Sequence, residues 1–196
     1  MKLKILTFAV TLTLATNLSA QTFTTLHSFA AVTNGFGPLA GLILSGNTLY
    51  GTASGGGSSG NGTVFAINTD GTDFTNLLSV SFGTGPYGLV LLDNTLYWTT
   101  VGGGFEFDGT VSAVTTNGTG YRGLLNFVGN NGSFPYDSLI VSGNTLYGTT
   151  SGQGGYQPNY GTIFRINNDG TDFTNLYTFP AGGSNGSATI DSCIIK

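Results

Sequence analysis

Few residues in this chain have the types and spacing that catalysis needs. Residues 56–60, Gly-Gly-Ser-Ser-Gly, fit the string of a hydrolase nucleophile elbow around Ser58. That elbow requires a strand before it, a helix after it, and an acid and a histidine later in the chain. Here a strand-like run follows instead, and the single histidine, His27, lies upstream. Gly55, Gly57 and Gly60 also match a dinucleotide fingerprint, but no helix follows to hold a phosphate. Glu106 and Asp108 are the one close carboxylate pair outside the Asp-Gly turns. Spaced by two, they can share one side of an extended segment. A glycosidase needs two carboxyls across a sugar ring, and no second acid is placed opposite this pair. The simpler expectation is a solvated loop with two acids. Residues 68–73 and 167–172 invite a calcium reading, yet they lack the ligand spacing and the distal Glu of such a loop. An Asp-Gly hairpin turn explains them better. Four Asn-Gly-Thr/Ser strings match glycosylation sequons, and Asn-Gly is equally a turn dipeptide. A lone histidine makes a poor metal site, so no metal, cofactor or catalytic residue is assigned.

The remaining candidates recognise rather than react. Phe36, Phe105, Tyr156 and Tyr160 offer flat apolar rings in glycine-rich connections. Asn34, Asn130, Gln153, Gln157 and Asn159 add amides, and Glu106 and Asp108 add charge. Rings with amides suit a neutral glycan or a protein surface better than a phosphate. The candidate binding site is Phe36, Phe105, Glu106, Asp108, Gln153, Tyr156, Gln157 and Tyr160.

The elements that must position these loops repeat. The tetrapeptide Asn-Thr-Leu-Tyr starts at Asn47, Asn94 and Asn144, a period of about fifty residues. Each copy holds four short runs rich in Val, Ile, Leu, Phe, Tyr and Thr, separated by Gly, Asn or Asp clusters. Such runs read as antiparallel strands, and no window has helical periodicity. Four strands per fifty residues is the arithmetic of a propeller blade. The fold class expected is therefore all-β, a β-propeller-like array with blades at about 38–82, 86–127 and 135–179. Residues 23–29, FTTLHSF, match FTNLYTF at 173–179, so the array begins on the last strand of a repeat. A partial fourth repeat starts at residue 188 and places Cys193 where Leu139 stands, a buried and inert position. His27 falls where Leu78, Leu125 and Tyr177 fall, a packing position. Tyr50, Tyr97 and Tyr147 should be equivalent, and Ser112, in place of Phe65 and Phe164, should mark the weakest packing. Closed propellers need at least about four blades. Three blades and a stray strand at each end are expected of a fragment, or of open ends that self-associate with another copy.

These motifs resemble the GloVer tandem repeat of bacterial exported proteins. The resemblance rests on Ser28-Phe29, Pro38, Gly41-Leu42-Ile43, residues 46–52 and 62–67, and Asp70-Gly71. It recurs at Pro135, residues 143–150 and 161–166, and Asp169-Gly170, and departs at Trp98, Ser112 and Asn117. The resemblance implies an extracellular array and brings no catalytic residues.

Composition agrees. Lys and Arg number 5 against 9 Asp and Glu, for a net charge of −4. A chain so poor in cations cannot neutralise a row of phosphates, which argues against nucleic acid. Residues 1–20 have a basic start, an apolar run and small residues before Gln21, the pattern of a secretory signal peptide. No later segment can span a bilayer as a helix. The expectation is a bacterial protein, secreted or at the cell surface, binding glycan or protein. The alternative is a propeller-type extracellular carbohydrate-active enzyme, a hydrolase or lyase with an incomplete site.

Overall fold

The computed structural model describes residues 23–29, 33–81, 83–152 and 159–180. The expected signal peptide, Cys193 and the partial fourth repeat lie outside the described residues. So do Gln153, Tyr156 and Gln157.

The described chain is all-β, in three antiparallel sheets. Blade 1 is β1 (Ile43–Ser45), β2 (Thr48–Ala53), β3 (Thr63–Asn68) and β4 (Thr75–Ser79), paired in chain order. Blade 2 has β5 (Thr84–Pro86) and β6 (Val90–Leu92), both paired with β7 (Thr95–Gly102). It continues with β8 (Thr110–Thr115) and β9 (Arg122–Asn126). Blade 3 is β10 (Ile140–Ser142), β11 (Thr145–Thr150), β12 (Asn159–Asn167) and β13 (Thr174–Pro180). Registers repeat as well. Ile43 faces Tyr50, Val90 faces Tyr97 and Ile140 faces Tyr147, so the three tyrosines are equivalent. The same bulge recurs between Val64 and Phe65, Val111 and Ser112, and Ile163 and Phe164. A bulge bends the strand and adds twist, which lets each blade wrap over the next.

Alternating residues face the neighbouring blades, as the period-2 pleat dictates. Toward blade 2, blade 1 presents Ile43, Tyr50, Val64 and Leu78. Leu89, Leu91, Leu96, Trp98 and Val114 of blade 2 meet them. Tyr97, Val111 and Ala113 of blade 2 then pack on Leu139, Leu146, Phe164 and Ile166 of blade 3. The core is thus a pair of inter-blade layers, each requiring both partners.

Residues 23–29 occupy the place of an outer strand in a blade before blade 1. Phe29 lies 5.2 Å from Phe65 and 5.9 Å from Phe74. Phe127, at the end of blade 2, lies 5.2 Å from Phe164 and 6.3 Å from Phe173. His27 stacks flat on Phe74 at 3.7 Å and is the packing residue expected. Unlike the strand read from its sequence, however, the segment carries no strand pairing. Pairing requires a neighbour, and no described strand lies beside it.

Candidate functional site

The candidate site forms where blade 2 breaks the aromatic pattern. In blades 1 and 3 a glycine faces a phenylalanine across the central strands, Gly51 to Phe65 and Gly148 to Phe164. A Cβ on either glycine would come within 2.4–2.5 Å of the ring, so the ring occupies the space the glycine leaves. In blade 2 the pair is reversed: Trp98 faces Ser112. Trp98 is fully buried and fills part of the volume from the other strand. Tyr121 stands where Phe74 and Phe173 stand, its ring 6.2 Å from that of Trp98.

The exchange leaves a recess of about 360 Å³, at the small end of ligand pockets. Thr110 and Ser112 of β8 line it, with Tyr121 and Asn126 at β9. Gly104 and Phe105 come from the connection between β7 and β8. The expectation that Ser112 marks loosened packing is met here by a cavity. Hydroxyls run along the recess from Thr100 to Thr110 at 2.8 Å, to Ser112 at 3.4 Å and to the Tyr121 Oη at 3.5 Å. Blade 3 has the equivalent first link, Thr150 to Thr162 at 2.8 Å, and then Phe164 and Phe173. The polar ladder therefore belongs to blade 2.

The loop 103–109 is held by Gly109 N–H donating to the Gly103 carbonyl at 3.0 Å. Its rings point outward: Phe105 is 85% exposed and Phe107 76%. Phe107 sits at a φ of 62°, a region costly for a non-glycine residue. Glu106 accepts from the Gly129 N–H at 3.4 Å, tying the loop to the next connection. Asp108 departs from the solvated pair expected, being only 4% exposed. Burial, and then the Glu106 charge, push its carboxyl above the ordinary value.

Of the site residues expected from the sequence, the structure brings Phe105, Glu106 and Asp108 into one loop, with Phe105 on the recess. Phe36 belongs elsewhere: its backbone bridges to Gly55, against which its ring packs, in blade 1. Tyr160 falls in β12, beyond the loop assigned to it. Sequence reasoning missed Thr110 and Asn126, which sit in strands, and Tyr121, which stands just before one, because it looked to the loops. The signal was present in the departures at Trp98 and Ser112.

The two Asp-Gly turns are closed by their own side chains. Thr72 donates to Asp70 Oδ1 from its N–H at 3.0 Å and its hydroxyl at 2.7 Å. Thr171 does the same to Asp169 at 2.9 and 2.6 Å. These bonds lower both carboxyls. Among the described residues, no group of three or more His, Cys, Asp or Glu side chains can hold a metal.

A family model, the Gloeobacter/Verrucomicrobia repeat, matches residues 10–194. The chain belongs to that family. The chain resembles a chain of the nidogen/laminin complex, with 18% identity and a TM-score of 0.51. The match covers 72% of this repeat protein and 46% of that chain, so it spans about half the other's length. A computationally designed protein, Ika4, matches at 17% identity and a TM-score of 0.49, covering 86% and 83%. The first likeness and the three equivalent sheets establish a propeller-like repeat fold. No curated protein sequence matches the chain. No described helix of this repeat protein is long and apolar enough to cross a membrane.

Proposed function

We propose that this repeat protein is a secreted or cell-surface bacterial binding module, and that blade 2 holds a neutral polar ligand, a glycan segment. The observation that carries this reading is the recess beside Ser112. An aromatic ring, a ladder of hydroxyls and the Asn126 amide converge there, with Phe105 exposed at its mouth. A sugar presents apolar faces to rings and hydroxyls to hydroxyls and amides, which is the pairing this lining offers. Connections on a rigid sheet scaffold are the usual place for recognition. A protein ligand is the second binding reading, since a similar fold occurs in a nidogen/laminin complex.

The test is a glycan array followed by titration with the strongest neutral hit. Phe105→Ala and Ser112→Phe, which refills the recess, should each weaken binding by about 10-fold or more while the fold is retained. Binding that neither change alters would rule out the recess.

The enzyme reading draws on one observation, the buried Asp108 beside Glu106, because raised carboxyls occur at general acids. Polysaccharide turnover that Glu106→Gln and Asp108→Asn each abolish would establish it. Turnover unchanged by both would remove it.

A further inference from the structure

The contacts between blades form a repeating set of seats, and on blade 3 no described residue fills them. The turn glycine of each blade lies on a leucine of the element before it. A Cβ on Gly71 would come 3.1 Å from the Leu26 carbonyl, on Gly118 2.8 Å from Leu77, and on Gly170 3.2 Å from Leu124. The next leucine of the series is Leu176 in β13, and it is 50% exposed. A second seat recurs at the start of the third strand. The space beside Gly62 is filled by Pro86 and that beside Gly109 by Pro135. Among the described residues, no proline stands beside Gly161, where a Cβ would meet backbone of Thr150 and Ser151. Around these seats Ile140, Tyr147 and Ile163 line a shallow dent of about 40 Å³.

Blade 1 presents the complement. Leu42 is 52% exposed and Leu44 61%, whereas their equivalents in blade 2, Leu89 and Leu91, are buried or half-buried against blade 1. Pro38, the counterpart of Pro135, is exposed. The outer half of this face is different, because residues 23–29 already cover it. Phe29 takes on Phe65 and Phe74 the position that Phe127 takes on Phe164 and Phe173.

We propose that the open face of blade 3 docks blade 1 of a second copy, and that residues 23–29 hold this contact off by occupying its outer half. In the docked pair, Pro38 of one copy meets Gly161 of the other, and the Gly71 turn moves from Leu26 onto Leu176. Phe179 replaces Phe29 on the Phe65–Phe74 pair. The interface is heterologous, front to back, so it propagates rather than ending at a dimer. The capping segment and β13 compete for one site because they share one sequence pattern, Phe-Thr-x-Leu-x-x-Phe.

Sedimentation velocity on the full chain and on a variant lacking residues 23–29 tests this. The full chain should stay monomeric over a concentration range in which the variant forms head-to-tail oligomers. Adding the peptide FTTLHSF in excess should return the variant to monomer. Leu176→Asp in the shortened chain should weaken association by roughly 10-fold or more, which separates docking from aggregation through exposed rings. If the shortened chain does not fold, Phe29→Ser in the full chain loosens the cap while keeping the segment. Equal association with and without the cap overturns the proposal, as does association that Leu176→Asp leaves intact. Oligomers that appear only when residues 181–196 are removed would show that the chain's own C-terminal segment covers blade 3, and would also overturn it.

Discussion

Trp98 and Ser112 show how one pair of side chains sets both packing and chemistry. In blades 1 and 3 the ring comes from the third strand and the glycine from the second; in blade 2 the bulk has crossed over. Trp98 is fully buried, and its Nε1–H has no hydrogen-bond partner. That orphan donor carries a desolvation cost of about 1–3 kcal/mol, which the apolar contacts of the indole must exceed. Trp98→Ala should therefore destabilise the protein by about 3–5 kcal/mol. Trp98→Phe keeps a ring and removes the orphan N–H, and should cost under about 1.5 kcal/mol. Urea denaturation of the two variants checks the difference. If both lose the same stability, ring packing is not what Trp98 contributes.

At the level of elements, the short turns between third and fourth strands carry structure inside the blade and between blades. The turn at 167–172 is fixed from within by Asn167, whose amide donates to the Thr171 hydroxyl at 3.0 Å and to Asp172 at 2.9 Å. The turn at 68–73 repeats this with Asn68, Thr72 and Asp73. In blade 2 the role of the turn aspartate passes to Asn117, which accepts from Thr119 at 3.1 and 2.7 Å. Gly170 needs its lack of a side chain twice, for its φ of 91° and for its approach to the Leu124 carbonyl. Gly170→Ala should cost on the order of 1–3 kcal/mol from the backbone strain alone. Gly143→Ala lies in another turn, with nothing within 4 Å of the added Cβ and a φ of 56°, inside the left-handed region that other residues can reach. Thermal melts should place Gly170→Ala below Gly143→Ala. The reverse order would mean that the seat on Leu124 contributes nothing.

At the scale of the whole molecule, three carboxyls among the described residues act on stability in opposite directions as pH changes. Hydrogen bonds from threonine hold Asp70 and Asp169 below the ordinary value of 3.8. Their contribution to stability is full above that value and is lost as pH falls through the lowered ones. Asp108 is raised by burial and by Glu106. Its favourable state is the protonated one, present below 3.8 and lost as pH rises through the raised value. Asp108→Asn should therefore raise the melting temperature at neutral pH and leave it nearly unchanged in acid. A gain of equal size at both pH values would show that burial of the charge is not the cause.

The sequence alone determined the period, the strand-rich class and the turns, because these depend on local chemistry. Asn-Thr-Leu-Tyr at three places, Asp-Gly between apolar runs and the absence of helical spacing are each readable within a few residues. The flat rings of the loops were legible as types, and Phe105 does stand on a recess. Where the rings go was decided by tertiary structure. Phe36 and Phe105 occupy different blades, and Asp108 is buried although its neighbours look like solvated loop. The recess exists because residues of two adjacent strands and one loop meet in space, and no single stretch of sequence contains them. The same holds for the open face of blade 3. Ile140, Tyr147 and Leu176 are as apolar as their counterparts, and burial follows from whether a neighbouring blade lies against them.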